Sequence, residues 1–207
     1  MIPIRAQEFR TNLANALAVV RQDQTAIDRF ATTRKAIIQS FWPAILLFPI
    51  YMLEAQSQIS ALIPNAPMMR VYIDAVLVYV ILWLLFPLAM VPISRNLGCF
   101  DKWPRFVVVN NWASLPIPVL VFALRALGWL SLMPSGFLGL LIIIANFYVI
   151  LLTWFVLRHC FEITGGRAAT LTFLSMAMAA CVELFYLRAT GMDLALLEQA
   201  SQGFGGS

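Results

Sequence analysis

Phe137–Leu157 reads FLGLLIIIANFYVILLTWFVL, an apolar stretch with no charged residue and one asparagine, Asn146. A helix needs about 20 mainly apolar residues to cross a hydrocarbon core of ~30 Å, and this stretch has that length. A helix at the surface of a soluble domain needs only one apolar stripe. Here Leu140 to Ile144 and Val149 to Leu152 are apolar all round, so the natural solvent for the segment is lipid. Chain in lipid must satisfy every backbone N–H internally, as a helix or a closed barrel. The run is far too long for a barrel strand of about 9–11 residues. The fold class is therefore all-α: a polytopic membrane helix bundle.

Four more runs flank it: Ile37–Leu53, Val71–Ile93, Phe106–Leu124 and Ala168–Leu187. They predict five transmembrane helices within residues 37–187, with Gln39 and Pro43 making the first the least apolar. Composition agrees. Of 207 residues 61% are hydrophobic and 12% charged, against about 45–50% and about 25% in soluble domains. That excludes a soluble enzyme and a nucleic-acid partner; the bilayer is the expected partner. The first 30 residues lack the uninterrupted apolar core of a cleaved signal peptide.

Charge sets the orientation. Arg5, Arg10, Arg21, Arg29, Arg34 and Lys35 precede the first run; Arg95, Lys102 and Arg105 lie between the second and third; Arg158 and Arg167 lie between the fourth and fifth. Only Arg70, Arg125 and Arg188 fall on the other side. The positive-inside rule then puts the N-terminus in the cytoplasm and the C-terminus outside. Small size and short loops point to a bacterial cytoplasmic membrane.

Residues 1–36 are expected to form a cytoplasmic amphipathic segment. Phe9, Leu13, Leu17 and Val20 recur at helical spacing, with Arg5, Glu8, Arg10, Asn12 and Arg21 flanking or opposing them. Such a basic amphipathic helix suits the headgroup layer, with the apolar face turned to lipid or to a partner protein. Thr25–Asp28 reads as a capping box opening a second helix. The turn Pro64–Pro67 is expected outside, and Gly165-Gly166 is expected to terminate the fourth helix. Residues 188–207 form a short outer tail, where Thr190–Asp193 signals an interfacial helix.

Polar groups inside the runs are the candidate functional residues, because each is costly in hydrocarbon. Asp74, Arg125, Glu183 and Arg188 fall toward the outer ends, where they either snorkel or form one cluster. Asn110 and Asn111 lie near the inner end of the third run, and Asn146 lies mid-way along the fourth. Their amides suit bonds across helices, or a polar track. Prolines at 43, 49, 87, 92, 116 and 118 interrupt the first three runs, as in the broken helices of some transporters. Ala168, Thr172, Ser175, Ala179 and Glu183 give the fifth run a small-residue packing face.

Reaction chemistry is not visible. Cys99, Cys160 and Cys181 include no CxxC pair, and His159 is the one histidine. With Cys99, Cys160 and Glu162 it makes a poor zinc set, and no P-loop, GxSxG or HExxH motif occurs. No catalytic residue, metal or cofactor is expected, although a bound lipid fits the pattern.

In layout the chain resembles Yip1-type membrane proteins, which carry a cytoplasmic N-terminal segment before five closely spaced helices. The resemblance covers the five runs as an arrangement and transfers no residue. It implies a small scaffold or trafficking-type protein. The expectation is a non-catalytic membrane protein, an accessory, assembly or scaffold subunit working with other membrane subunits. The competing expectation is a small transporter or channel using Asn110, Asn146 and Glu183.

Overall fold

The computed structural model describes residues 3–62 and 68–190. The turn Pro64–Pro67 and the capping signal after Thr190 lie outside the described residues. The described residues are all-helical, with 86% of them in helices. Its helices are α1 (Ala6–Val20), α2 (Arg34–Gln39), α3 (Trp42–Leu62), α4 (Met68–Asn96), α5 (Trp103–Ala113), α6 (Pro116–Trp129), α7 (Ser135–Phe161) and α8 (Gly165–Thr190). Among the described residues, five segments are long and apolar enough to cross a membrane: Arg34–Ser57, Val71–Asn96, Phe100–Trp129, Ser135–Phe161 and Gly165–Arg188.

Two of these segments are broken rods, for local reasons. The first splits after α2, where the Ser40 hydroxyl donates to the Ile37 carbonyl at 2.7 Å and Pro43 stands in the first turn of α3. The third splits between α5 and α6 at Ser114–Leu115. Pro116 has no N–H to continue α5, but suits the first position of a new helix.

Two local readings are corrected. Thr25–Asp28 opens no α-helix; Gln24–Arg29 is a 3₁₀ turn capped by Asp23, whose carboxylate accepts from the Thr25 N–H at 2.9 Å and hydroxyl at 2.7 Å. An Asp at the N-cap is as good an acceptor as Thr, so the cap forms two residues earlier. The next helix starts at Arg34, where Thr33 Oγ1 accepts from the Ala36 N–H at 3.2 Å. The second correction concerns Gly165-Gly166, which begins α8 instead of ending α7. Glu162 ends α7 in the left-handed conformation, φ 53° and ψ 40°.

The chain divides into two compact units, Met1–Leu47 with Ala89–Leu174, and Phe48–Leu88 with Ser175–Ser207. In the first, α5 and α6 pack along α7, and α1 lies on α5. Its core includes Phe106, Val109, Trp112, Leu157 and Phe161, with the Phe106 and Phe161 rings 5.0 Å apart. In the second, Ala55 and Ile59 of α3 meet Val71, Ala75 and Val78 of α4 and Tyr186 of α8. These repeat at three- and four-residue intervals, the spacing of one helix face. Beside this cluster Tyr79 meets Phe48 edge-on at 5.4 Å and Tyr51 at a tilt at 4.8 Å.

Candidate functional site

The first unit gathers its polar side chains at one end, where α2 and α5 begin and α7 stops. Glu8, in the first turn of α1, is the hub. Its carboxylate accepts from Lys35 Nζ at 2.8 Å, Gln39 Nε2 at 3.3 Å and the Arg5 backbone N–H at 3.1 Å. The Lys35 bond, then the Arg5 N–H, holds the Glu8 carboxyl down at about 2, against an ordinary 4.5. Gln39 Nε2 also donates to the Pro3 carbonyl at 2.9 Å. Pro3, just ahead of α1, is thereby fastened to α2.

A second ionic group holds the 3₁₀ turn and the α7 terminus. Arg105 Nη1 lies 3.1 Å from Asp28 Oδ1 and 3.9 Å from Glu162 Oε1, while Lys102 Nζ lies 2.7 Å from Glu162 Oε2. Lys102 and Arg105 sit at the start of α5, where the helix dipole disfavours cations, so the carboxylates offset that field. The Lys102 bond lowers the Glu162 carboxyl from its ordinary value. These pairs also hold Glu162 in a backbone conformation that a glycine adopts more readily.

Below this end, Asn111 is fully buried and donates from Nδ2 to Ser40 Oγ at 3.0 Å, 71 residues away in sequence. The bond joins the two broken rods beside their breaks. Phe9 meets the Trp112 ring edge-on at 5.4 Å. The Tyr148 hydroxyl of α7 donates to the Val20 carbonyl at the end of α1.

The other sequence candidates are dispersed. Asn110 is half-buried, and its carbonyl accepts from the Ser114 hydroxyl at 2.7 Å inside the break. Asn146 is exposed on α7 and bonds the Ile142 carbonyl of its own helix at 2.8 Å. Arg125 is half-buried in a groove of about 340 Å³ with Trp129, Ser135 and Gly139. In the second unit, Asp74 is half-buried, whereas Glu183 and Arg188 are exposed on α8. Of the α8 small-residue face, Ala168 and Thr172 are buried, and Ala179 is exposed.

On α1 the apolar stripe and the covered face are offset. Asn15, Ala16 and Val19 are buried, Phe9, Leu13 and Val20 are half-buried, and Leu17 stays 41% exposed. The covered side of α1 is thus centred on Ala16 and Val19, with Leu17 left outside.

Between α1 and α2 lies a cleft of about 490 Å³, bordered by Arg5, Glu8, Asn12, Arg29, Thr33 and Lys35. Sequence reading missed this convergence, because Glu8 and Lys35 stand 27 residues apart. The available signal was the isolated acids Glu8, Asp28 and Glu162 among the basic flanks. Among the described residues, no group of three His, Cys, Asp or Glu side chains is placed to hold a metal. Set against known proteins, the chain matches no family model, no curated protein and no solved structure.

Proposed function

We propose that this chain is a non-catalytic integral membrane protein acting by association, as an accessory, assembly or scaffold subunit of a larger membrane complex. Its N-terminus faces the cytoplasm of a bacterial cell and its C-terminus the outside. One observation carries the association: Asn146. It sits near the middle of α7, beside Ile143 and Phe147, which are 55% and 66% exposed. Its bond to Ile142 uses one N–H of an amide that offers two donors and an acceptor. Hydrocarbon satisfies none of the remainder, whereas a polar group on a neighbouring helix does. Ile144 is exposed beside Asn146 as well, which leaves room for such a neighbour.

The channel reading draws less support: Asn110 is half-buried beside the break between α5 and α6, while Asn146 is exposed on α7 and Glu183 is exposed on α8. The test is gentle detergent extraction followed by mass measurement of the intact particle. A complex larger than one chain is expected, and Asn146→Leu should reduce it while leaving helix content unchanged. A lone monomer without co-purifying protein would sink the proposal, as would vectorial flux in liposomes abolished by the same substitution.

A further inference from the structure

We infer that the cleft between α1 and α2 binds a phosphate group. Arg5, Arg29 and Lys35 border it; Glu8 is in its wall and pairs with Lys35, and Asp23 pairs with Arg29 from outside the lining, which leaves the cluster one positive charge in excess. The Glu8 charge is already engaged by Lys35, Gln39 and the Arg5 N–H, so it braces the wall of the cleft. Arg29 is held in place by Asp23 and Thr25, at 3.3 Å and 2.8 Å, and is thereby positioned at the rim. The Arg5 side chain is exposed. Guanidinium groups match the geometry of phosphate oxygens better than ammonium groups do. Gln7, Thr11 and Asn12 add neutral hydrogen-bonding groups along α1.

Size and position narrow the ligand. At about 490 Å³ the cleft holds a phosphate together with a glycerol-sized body, more than a bare ion requires. Thr33 and Lys35 border it where the first apolar segment begins, at Arg34. Lipid phosphates lie at that level of a bilayer, and soluble phosphate esters reach it from the aqueous side. The inference rests on the membrane reading alone, and it stands or falls separately from association through Asn146.

The test uses the full chain in a neutral maltoside detergent, following thermal unfolding as ligand is added. A ligand that binds only the folded chain raises the midpoint and saturates. Phosphatidylglycerol is titrated in one arm, and glycerol phosphate and inorganic phosphate in another, with phosphatidylcholine as reference. Saturation by the anionic lipid alone assigns the site to a headgroup; saturation by the water-soluble esters assigns it to a soluble ligand. Arg5→Gln keeps the backbone N–H that Glu8 uses and should weaken half-saturation about tenfold, the loss of one strong charge-assisted contact. Thr11→Glu, at an exposed position on the cleft wall, should abolish saturation. Arg10→Gln, exposed on α1 outside the cleft, should change it less than twofold. The inference is overturned if no probe saturates, or if Arg10→Gln weakens binding as much as Arg5→Gln.

Discussion

The Asn111–Ser40 bond is the most informative contact to break, because it ties two interrupted rods together beside their interruptions. Both residues are fully buried, and Nδ2 meets Oγ at 3.0 Å, while Oγ passes its own hydrogen to Ile37 at 2.7 Å. Asn111→Ala removes the donor and opens a small void, for an expected loss of about 2–3 kcal/mol. Ser40→Ala removes the acceptor and leaves the amide buried without it, for about 1–2 kcal/mol. If the two side chains act through one bond, the double variant must cost less than the sum. Cycles between membrane helices average about 0.6 kcal/mol and reach about 1.7. A short bond between two fully buried groups should fall near the upper half, at about 1 kcal/mol of coupling. The assay is unfolding in mixed micelles with rising SDS, followed by far-UV circular dichroism and by tryptophan emission. Strict additivity, within about 0.3 kcal/mol, would refute the claim that this bond joins the rods.

Acid should loosen the α1 anchor. The folded Glu8 carboxyl lies at about 2 and its ordinary value is 4.5, so its stabilising effect is complete above about 4.5 and is lost as pH falls toward 2. Glu8→Gln should therefore lower the unfolding midpoint at pH 7 and match the parent near pH 2; a gap independent of pH would contradict the assigned bonding. Two glycines should respond oppositely to alanine. At Gly128 a Cβ would lie 3.0 Å from Leu138 Cδ1, a buried methyl, whereas at Gly139 it meets nothing within 4 Å. Gly128→Ala should cost about 1 kcal/mol net of its better helix propensity, and Gly139→Ala should gain up to about 1 kcal/mol, read in the same micelle titration. Equal shifts for the two would contradict this packing of α6 on α7.

Sequence legibility followed the range of the interactions. The five long apolar helices were readable because hydrocarbon thickness imposes a run of fixed length on each segment alone. Proline chemistry was readable too, although only the structure separates Pro116, which opens α6, from Pro49, which lies inside α3. Helix ends were less legible, because neighbouring candidates compete. Asp23 takes the cap from Thr25, and Glu162, braced by Lys102 and Arg105, ends α7 ahead of the glycines.

The polar residues mark the limit most clearly. Sequence placed Asn110 and Asn111 near the inner end of one run and Asn146 mid-way along another, as amides suited to bonds across helices. Tertiary structure separated them: Asn111 is buried against Ser40, and Asn146 faces outward. Periodicity likewise found the apolar stripe of α1, but could not reveal that Asn15, Ala16 and Val19 form its buried side. What sequence alone determined was the solvent this chain is suited to and the number of long helices, both set by composition and run length. What only the tertiary structure decided was which polar groups meet, because Glu8 with Lys35 and Arg105 with Asp28 are brought together by packing between distant segments.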